Sequence, residues 1–107
     1  MANRNEKIKE ILHDLGARFL SLNGNGSSLI TVTDVNLTRD GKYATILFTV
    51  FPSEFEKTAL EFAKRKRSEF KEFIKENSRL GRIPQMDFEI DNGEKNRQKI
   101  DDLLSQG

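Results

Sequence analysis

The first hydrophobic pattern in the chain predicts a helix. Apolar residues recur every three or four positions from residue 3 to residue 22, a spacing that places them on one face of an α-helix. Gly16 lies inside this stretch, and a glycine in a helix interior costs about 1 kcal/mol relative to alanine. We therefore expect either close packing or a slight bend at Gly16.

Two strands that form a hairpin are predicted next. Apolar and polar residues alternate over residues 29–37, and the alternation changes parity near residues 33–34, so we expect a β-bulge there. Residues 42–51 form a second run that is rich in β-branched and aromatic side chains. The Asp40-Gly41 pair between the two runs accepts left-handed backbone geometry and predicts the turn that joins them.

The middle of the chain predicts a long helix that bends. Residues 53–56 have the Ser-Glu-Phe-Glu pattern of a capping box, and apolar residues follow at helical spacing to about Ser78. On a straight helix Lys66 would point into the middle of the apolar face, where desolvation of its ammonium costs several kcal/mol. We therefore expect the helix to bend or break at residues 66–68.

A third strand and a tail complete the predicted domain. Gly81 and Pro84 end the helical stretch, and residues 86–91 alternate apolar with acidic side chains, as in a strand with one buried face. The tail, residues 92–107, starts at an Asn-Gly turn, and we expect it to be either disordered or a short helix around three apolar residues: Ile100, Leu103 and Leu104. This order predicts a small α+β domain in which helices cover one face of a three-stranded sheet.

Composition indicates one globular domain in a reducing compartment. The chain has 107 residues, enough for a single domain, whose core we place at about residues 3–91. The absence of cysteine and the presence of a single histidine exclude disulfides, zinc fingers, cysteine nucleophiles and two-histidine metal sites. No apolar run approaches a membrane span, and the N-terminus lacks the apolar stretch of a secretory signal. We expect a cytoplasmic protein without membrane contact.

Charge is distributed unevenly along the chain. The formal net charge is +1, from 18 basic and 17 acidic residues. Residues 57–82 nevertheless carry an excess of basic side chains, and the rest of the chain is acidic. On a helical projection four of these side chains fall within about 80° of each other, by the 3.6-residue repeat, and we call them the cationic stripe: Lys64, Arg67, Lys71 and Lys75.

The cationic stripe has two interpretations. A row of cations fits a polyphosphate backbone, because each neutralised phosphate releases a counterion. The alternative is a solvated helix face on which lysine and glutamate are mixed for solubility. Aromatic residues do not decide between them, because Tyr43 is the one ring expected at the surface, and base stacking is not indicated.

Other candidate chemistry is weakly indicated. Acidic side chains on one face of the third strand could hold Mg²⁺, but a solvent-facing strand face carries acids in any case: Asp87, Glu89 and Asp91. His13 beside Asp14 or Glu10 has no nucleophile partner, which leaves a small hydrolase without an indicated substrate. The Gly-rich loop at residues 23–28 lacks the lysine that a phosphate-binding P-loop requires.

Several segments in order resemble the ribosome-binding factor A family of bacterial small-subunit assembly factors. They are LITVTDV at residues 29–35, DGKYA at 40–44, RL followed by IPQMDF within 79–88, Asp91, and IDDLL at 100–104. The resemblance implies a type II KH-like fold, with a kink between two central helices. The family has an Ala-x-Gly kink there, and this chain has Lys-Arg-Ser at residues 66–68 instead.

The resemblance also implies a function without chemistry. It implies a monomer that binds 16S ribosomal RNA in the immature 30S subunit, acts in late processing of precursor 16S rRNA and contributes to cold adaptation, with no cofactor, metal or small-molecule substrate. The candidate RNA-binding residues are Lys64, Arg65, Lys66, Arg67, Ser68, Lys71, Lys75, Arg79 and Arg82. The alternative is a protein-interaction module that docks a partner through the apolar residues of the tail.

Overall fold

The computed structural model describes residues 4–24 and 28–93 of the chain. The expected order of elements is confirmed, with helices α1 to α3 and strands β1 to β3 as follows: α1 (Arg4–Asn23), β1 (Leu29–Leu37), β2 (Tyr43–Phe51), a 3₁₀ turn (Ser53–Phe55), α2 (Glu56–Arg65), α3 (Arg67–Asn77) and β3 (Gln85–Ile90). The helix expected in the tail, with its apolar residues Ile100, Leu103 and Leu104, lies outside the described residues.

The three strands form one mixed sheet in the order β1-β2-β3. β1 pairs with β2 antiparallel, and β2 pairs with β3 parallel. The expected bulge is confirmed, because Val32 pairs with Phe48 and Asp34 pairs with the preceding residue, Leu47. The extra residue between them changes the parity of β1, and both Val32 and Val35 are therefore buried on the same face of the sheet.

The core lies between the helices and one face of the sheet. Phe70 of α3 stacks between Phe19 of α1 and Phe88 of β3, with ring centroids 5.0 and 5.2 Å apart. Phe88 also meets the edge of Phe48 of β2 at 6.4 Å. All four phenylalanines are nearly or fully buried, and the buried side chains among the described residues are hydrophobic. This aromatic cluster joins α1, α3 and the sheet into one unit.

Gly16 allows α1 to approach the sheet closely. It is buried, and a Cβ at this position would lie 3.4 Å from two side-chain carbons of Ile46 on β2. Close packing against Ile46 therefore accounts for this glycine in the helix interior. Of the two explanations that the sequence left open, packing is the one that the structure supports.

The expected break in the long helix is confirmed. α2 ends at Arg65 and α3 begins at Arg67, with Lys66 between them at φ −96° and ψ 9°. The Lys66 ammonium lies 5.8 Å from the centroid of the Phe62 ring and 3.3 Å from a carboxylate oxygen of Glu69. The break thus lets Lys66 cover an aromatic face with its charge at the surface, where a straight helix would bury it.

The predicted capping box is wrong. Ser53 lies in the 3₁₀ turn, and neither that turn nor α2 has a side-chain hydrogen bond at its N-cap. The backbone N–H of Phe55 donates to the carbonyl of Pro52 at 3.1 Å instead, and Phe55 itself is the N-cap of α2. The half-buried ring of Phe55 packs against the core. Tertiary packing of this ring therefore starts α2 two residues later than the capping pattern predicts, with Phe55 and not Ser53 as the N-cap.

One carboxylate on β3 holds the two sides of the helix break. Oδ1 of Asp87 accepts from Nζ of Lys64 at 3.0 Å and from Nη1 of Arg67 at 3.2 Å. Nε of Arg67 also donates to the carbonyl of Lys64 at 3.0 Å, which satisfies a backbone group at the end of α2. We call these three residues the Asp87 junction, and they fix where α3 begins relative to the sheet.

Ionisation of Asp87 is favoured by its surroundings. Partial burial raises the pKa of its carboxyl, but the hydrogen bond from Lys64, the N–H of Phe88 and the charges of Lys64 and Arg67 together hold the pKa below the ordinary value of 3.8. The Asp87 junction therefore contributes most to stability when this carboxylate is charged.

Substitution of Gly16 tests the close approach of α1 to the sheet. We expect Gly16→Ala to stabilise the fold by up to about 1 kcal/mol, because alanine favours the helix and its Cβ meets Ile46 at ordinary contact distance. Gly16→Leu should destabilise it by about 1–3 kcal/mol through overpacking. Urea unfolding monitored by circular dichroism measures both, and equal stabilisation by alanine and leucine would contradict the packing argument.

Asp87→Asn tests the Asp87 junction. The substitution keeps an acceptor oxygen but removes the charge, and we expect it to lower the free energy of unfolding by less than about 1 kcal/mol per ion pair, since all three side chains are at least one-third exposed. A lowered folded-state pKa stabilises above the unfolded value, so the difference should be full above about pH 5 and vanish as the pH falls below 3.8 through the lowered pKa.

Urea unfolding at a series of pH values measures this difference. The matched control is Lys64→Met in the Asp87→Asn background, where the lysine substitution should cost less than it does beside the intact carboxylate. A difference between the wild type and Asp87→Asn that is independent of pH would show that the carboxylate charge does not stabilise the break.

Candidate nucleic-acid interface

The β1–β2 turn places Lys42 and Tyr43 at one end of the sheet. Gly41 has a φ of 73°, and its N–H donates to the carbonyl of Thr38 at 2.9 Å, which confirms the predicted turn. The carboxylate of Asp40 accepts from the hydroxyl of Thr38 at 2.7 Å and from the N–H of Lys42 at 3.1 Å. These two bonds lower the pKa of Asp40, so the turn is closed by a charged carboxylate.

The parallel pairing of β2 with β3 brings the next part of the site to this turn. The N–H of Gln85 donates to the carbonyl of Lys42 at 2.8 Å, and Tyr43 pairs with Gln85 in the register. Arg82 lies in the segment just before β3, so it reaches the same end of the sheet. The first residues of α3, Arg67 and Ser68, form the opposite wall, and Asp87 holds Arg67 there.

These elements enclose a cleft of about 560 Å³, which we call the basic cleft. Its polar and aromatic lining comes from three separate segments of the chain: Lys42, Tyr43, Arg67, Ser68, Lys71, Arg82 and Gln85. No acidic residue of the described ranges, 4–24 and 28–93, lines it. The cleft therefore combines four cations without a carboxylate among its lining residues, an arrangement that favours an anionic ligand.

The cations of the basic cleft are held in different ways. Arg67 is oriented by Asp87 and by the Lys64 carbonyl, and about half of its side chain stays exposed. Lys71 and Arg82 are exposed and form no ion pair with any other residue in the ranges 4–24 and 28–93. α3 also begins at this wall, and the N–H groups at a helix N-terminus carry partial positive charge. One fixed and two unpaired cations thus face the same space, together with Lys42, whose charge acts on the neighbouring Asp40 carboxylate.

The structure divides the cationic stripe that the sequence predicted. Arg67 and Lys71 line the basic cleft, whereas Lys64 is paired with Asp87 beside it. Lys75 lies one turn beyond Lys71 and contacts Glu72 at 3.4 Å. The stripe is therefore not a continuous row of unpaired charge, because three of its four side chains, Lys64, Arg67 and Lys75, contact carboxylates.

The other predicted binding residues have separate positions. Ser68 and Arg82 join the cleft. Arg65 lines a different, more apolar pocket between α2 and the start of β1, and Lys66 contacts Glu69. Arg79 is exposed in the segment after α3. Of the nine candidates, the basic cleft thus brings together four: Arg67, Ser68, Lys71 and Arg82.

Reasoning from the sequence missed three residues of the cleft. Lys42, Tyr43 and Gln85 lie in strands or turns, away from the basic segment from which the candidates were taken. The Asp-Gly turn signal located the first two, but it gave no indication that the turn faces the start of α3. The parallel pairing of β2 with β3 brings the turn to the start of α3, and the sequence analysis did not predict this pairing.

The weaker chemical candidates gain no support from the described residues. No group of three or more His, Cys, Asp or Glu side chains within residues 4–24 and 28–93 is arranged to hold a metal ion. Asp87 is engaged by two cations, and Asp91 accepts a hydrogen bond from Thr33. His13 is exposed in an open groove between α1 and β1. Within the same ranges, no helix has the length and apolar character that crossing a bilayer requires.

Comparison with known proteins identifies relatives of the chain. The sequence model of the family described as Ribosome-binding factor A matches residues 2–104. Ribosome-binding factor A of Clostridium botulinum (strain Hall) is 33% identical over 79 residues, which cover 73% of this chain and 66% of that protein. The match thus spans just under two thirds of the length of that relative.

Solved structures share the fold. The crystal structure of ribosome-binding factor A from Thermus thermophilus has a TM-score of 0.69 at 21% identity, covering 79% of this chain and 93% of that one. A homology model of the T. thermophilus protein, fitted into the cryo-EM map of a 30S–RbfA complex, has a TM-score of 0.65 at 22% identity, covering 74% and 86%. The order of elements is consistent with the expected KH-like fold. Because the family pattern extends over nearly the whole sequence, the chain belongs to the ribosome-binding factor A family.

Proposed function

We propose that this protein is a non-enzymatic assembly factor that binds 16S ribosomal RNA in the immature 30S subunit through the basic cleft. Membership of the family supports ribosome binding, and the related Thermus protein has been fitted into a map of a 30S complex. The observation that carries the RNA contact is the cleft itself, where four cations from three chain segments meet and no carboxylate from the described part of the chain joins the lining. RNA phosphates are the anions that a 30S precursor presents.

Phosphate contacts explain how the cleft would act. Lys71 and Arg82 are exposed, so they gain counterion-release free energy without first breaking an ion pair. Arg67 is held in place by the Asp87 junction before RNA arrives, which lowers the entropy lost when its guanidinium meets a phosphate. Contacts of this kind position a protein on RNA, and the shape of the RNA then supplies selectivity.

The timing and cellular setting of binding are proposed from the resemblance to the family. We propose that binding takes place in the cytoplasm, by a monomer, late in the maturation of 16S rRNA, and that it supports growth in the cold. The helix break at Lys66 supports a type II KH-like unit, in which α2, the break and α3 present the cationic wall of the cleft. Lys-Arg-Ser then takes the place of the family's Ala-x-Gly sequence at the kink, and the Asp87 junction fixes the geometry there.

Charge reversal within the basic cleft tests the proposal. We expect Lys71→Glu combined with Arg82→Glu to weaken co-sedimentation with 30S precursors at least about tenfold, because two phosphate contacts are lost. The slope of log affinity against log salt should also become shallower by roughly 0.7–0.9 per contact removed.

A matched control separates the cleft from total charge. Lys7→Glu combined with Lys57→Glu changes the net charge equally at two exposed positions outside the cleft, on α1 and α2, and should leave most of the affinity in place. Equal loss in the two double variants would show that overall charge, and not the basic cleft, determines binding. Circular dichroism of each variant confirms that the fold is retained.

A further inference from the structure

Tyr43 is an exposed aromatic side chain on a fixed backbone. Its N–H donates to the hydroxyl of Thr38 at 3.1 Å, and its carbonyl accepts from the N–H of Thr38 at 2.9 Å. The residue as a whole is nevertheless 56% exposed, among the most exposed large hydrophobic residues within ranges 4–24 and 28–93. The hydrophobic core therefore makes little use of this ring, although the backbone that carries it is held by two hydrogen bonds.

The surroundings of Tyr43 suggest a ligand with both a planar face and an anion. Tyr43 lines the basic cleft together with Arg67 and Lys71, so an aromatic residue and several cations share one space. The volume of about 560 Å³ lies within the range of small-ligand sites. Phosphate recognition alone needs no ring, whereas aromatic side chains provide stacking surfaces for nucleobases.

Gln85 adds a group that can read a base edge. It pairs directly with Tyr43 in the parallel register of β2 and β3. Gln85 is exposed, and it also lines the cleft. A glutamine amide has donors and an acceptor, and it can therefore pair with the polar edge of a base. An intact A-form duplex keeps its base faces stacked inside, so this combination suits a base that has left the helix.

We propose that the basic cleft binds one unpaired nucleotide of an RNA strand, with its base on the ring of Tyr43 and its phosphate between Arg67, Lys71 and the N-terminus of α3. Gln85 contacts the edge of the base. This inference rests on the proposed RNA-binding function and adds to it the class of RNA, a bulge, loop or single-stranded end. Tyr43 is then the residue that distinguishes unpaired from paired RNA.

Tyrosine fluorescence provides a direct test on the full chain. The protein has one tyrosine and no tryptophan, so its intrinsic emission comes from Tyr43 in the basic cleft. We expect a single-stranded RNA of about 8 nucleotides, within the usual site size, to quench this emission with saturation. A duplex of the same length should quench it much less at equal occupancy, and uridine or adenosine monophosphate should bind far more weakly than the strand.

Variants at Tyr43 separate stacking from charge. Tyr43→Ala should weaken binding of the labelled single strand roughly tenfold in fluorescence anisotropy and leave duplex binding unchanged, because only the stacked base is lost. Tyr43→Phe keeps the ring and should retain the affinity. Lys71→Gln should weaken both RNAs, since both present phosphates. Circular dichroism and urea unfolding check that each variant is folded.

The outcomes distinguish this inference from the function on which it rests. The proposal that a base stacks on Tyr43 would be overturned by any of three results. These are no quenching by the single strand, equal effects of Tyr43→Ala on the two RNAs, and no loss of single-strand affinity in that variant. Equal affinity for the monophosphate and the strand would replace RNA with a free nucleotide and would also overturn it. In each case the charge-reversal experiment with 30S precursors still decides the proposed function separately.

Discussion

The parallel pairing of β2 with β3 is the contact on which the basic cleft depends. Two parallel neighbouring strands need a connection that crosses back over the sheet, and α2 and α3 supply it. The start of β3 therefore lies beside the β1–β2 turn, and the N–H of Gln85 bonds to the carbonyl of Lys42. Without this pairing Tyr43 and Arg82 would lie in distant parts of the molecule, and the ring of one and the guanidinium of the other would not line the same cleft.

The helix break supplies the second wall because one carboxylate engages both of its sides. Asp87 contacts a side chain from the end of α2 and another from the start of α3, and Arg67 spans the break to the Lys64 carbonyl. Pairing lowers the net positive charge near the cleft, but it fixes the direction of Arg67. The pairing thus orients the Arg67 guanidinium but weakens the positive potential around it. Lys71 forms no ion pair with the other described residues.

Local patterns predicted most of the fold, and they were wrong where tertiary packing competed with them. The parity change in β1 predicted the bulge, because strand side chains alternate strictly between two faces. The misplaced charge of Lys66 predicted the break for a similar reason, since helical periodicity leaves no other position for it. The capping box at Ser53 was wrong, because the packed ring of Phe55 and a backbone hydrogen bond start α2 later.

The sequence by itself determined the elements, the hydrophobic face of each and the excess of positive charge around α3, since these follow from periodicity and composition within short stretches of chain. Only the tertiary structure decided which cations remain unpaired and which ring lies beside them. Contacts such as Asp87 with Arg67, or Tyr43 with Gln85, join residues that are 20 or more positions apart. No local spacing encodes them, because they depend on how strands pair and where the connecting helices cross the sheet.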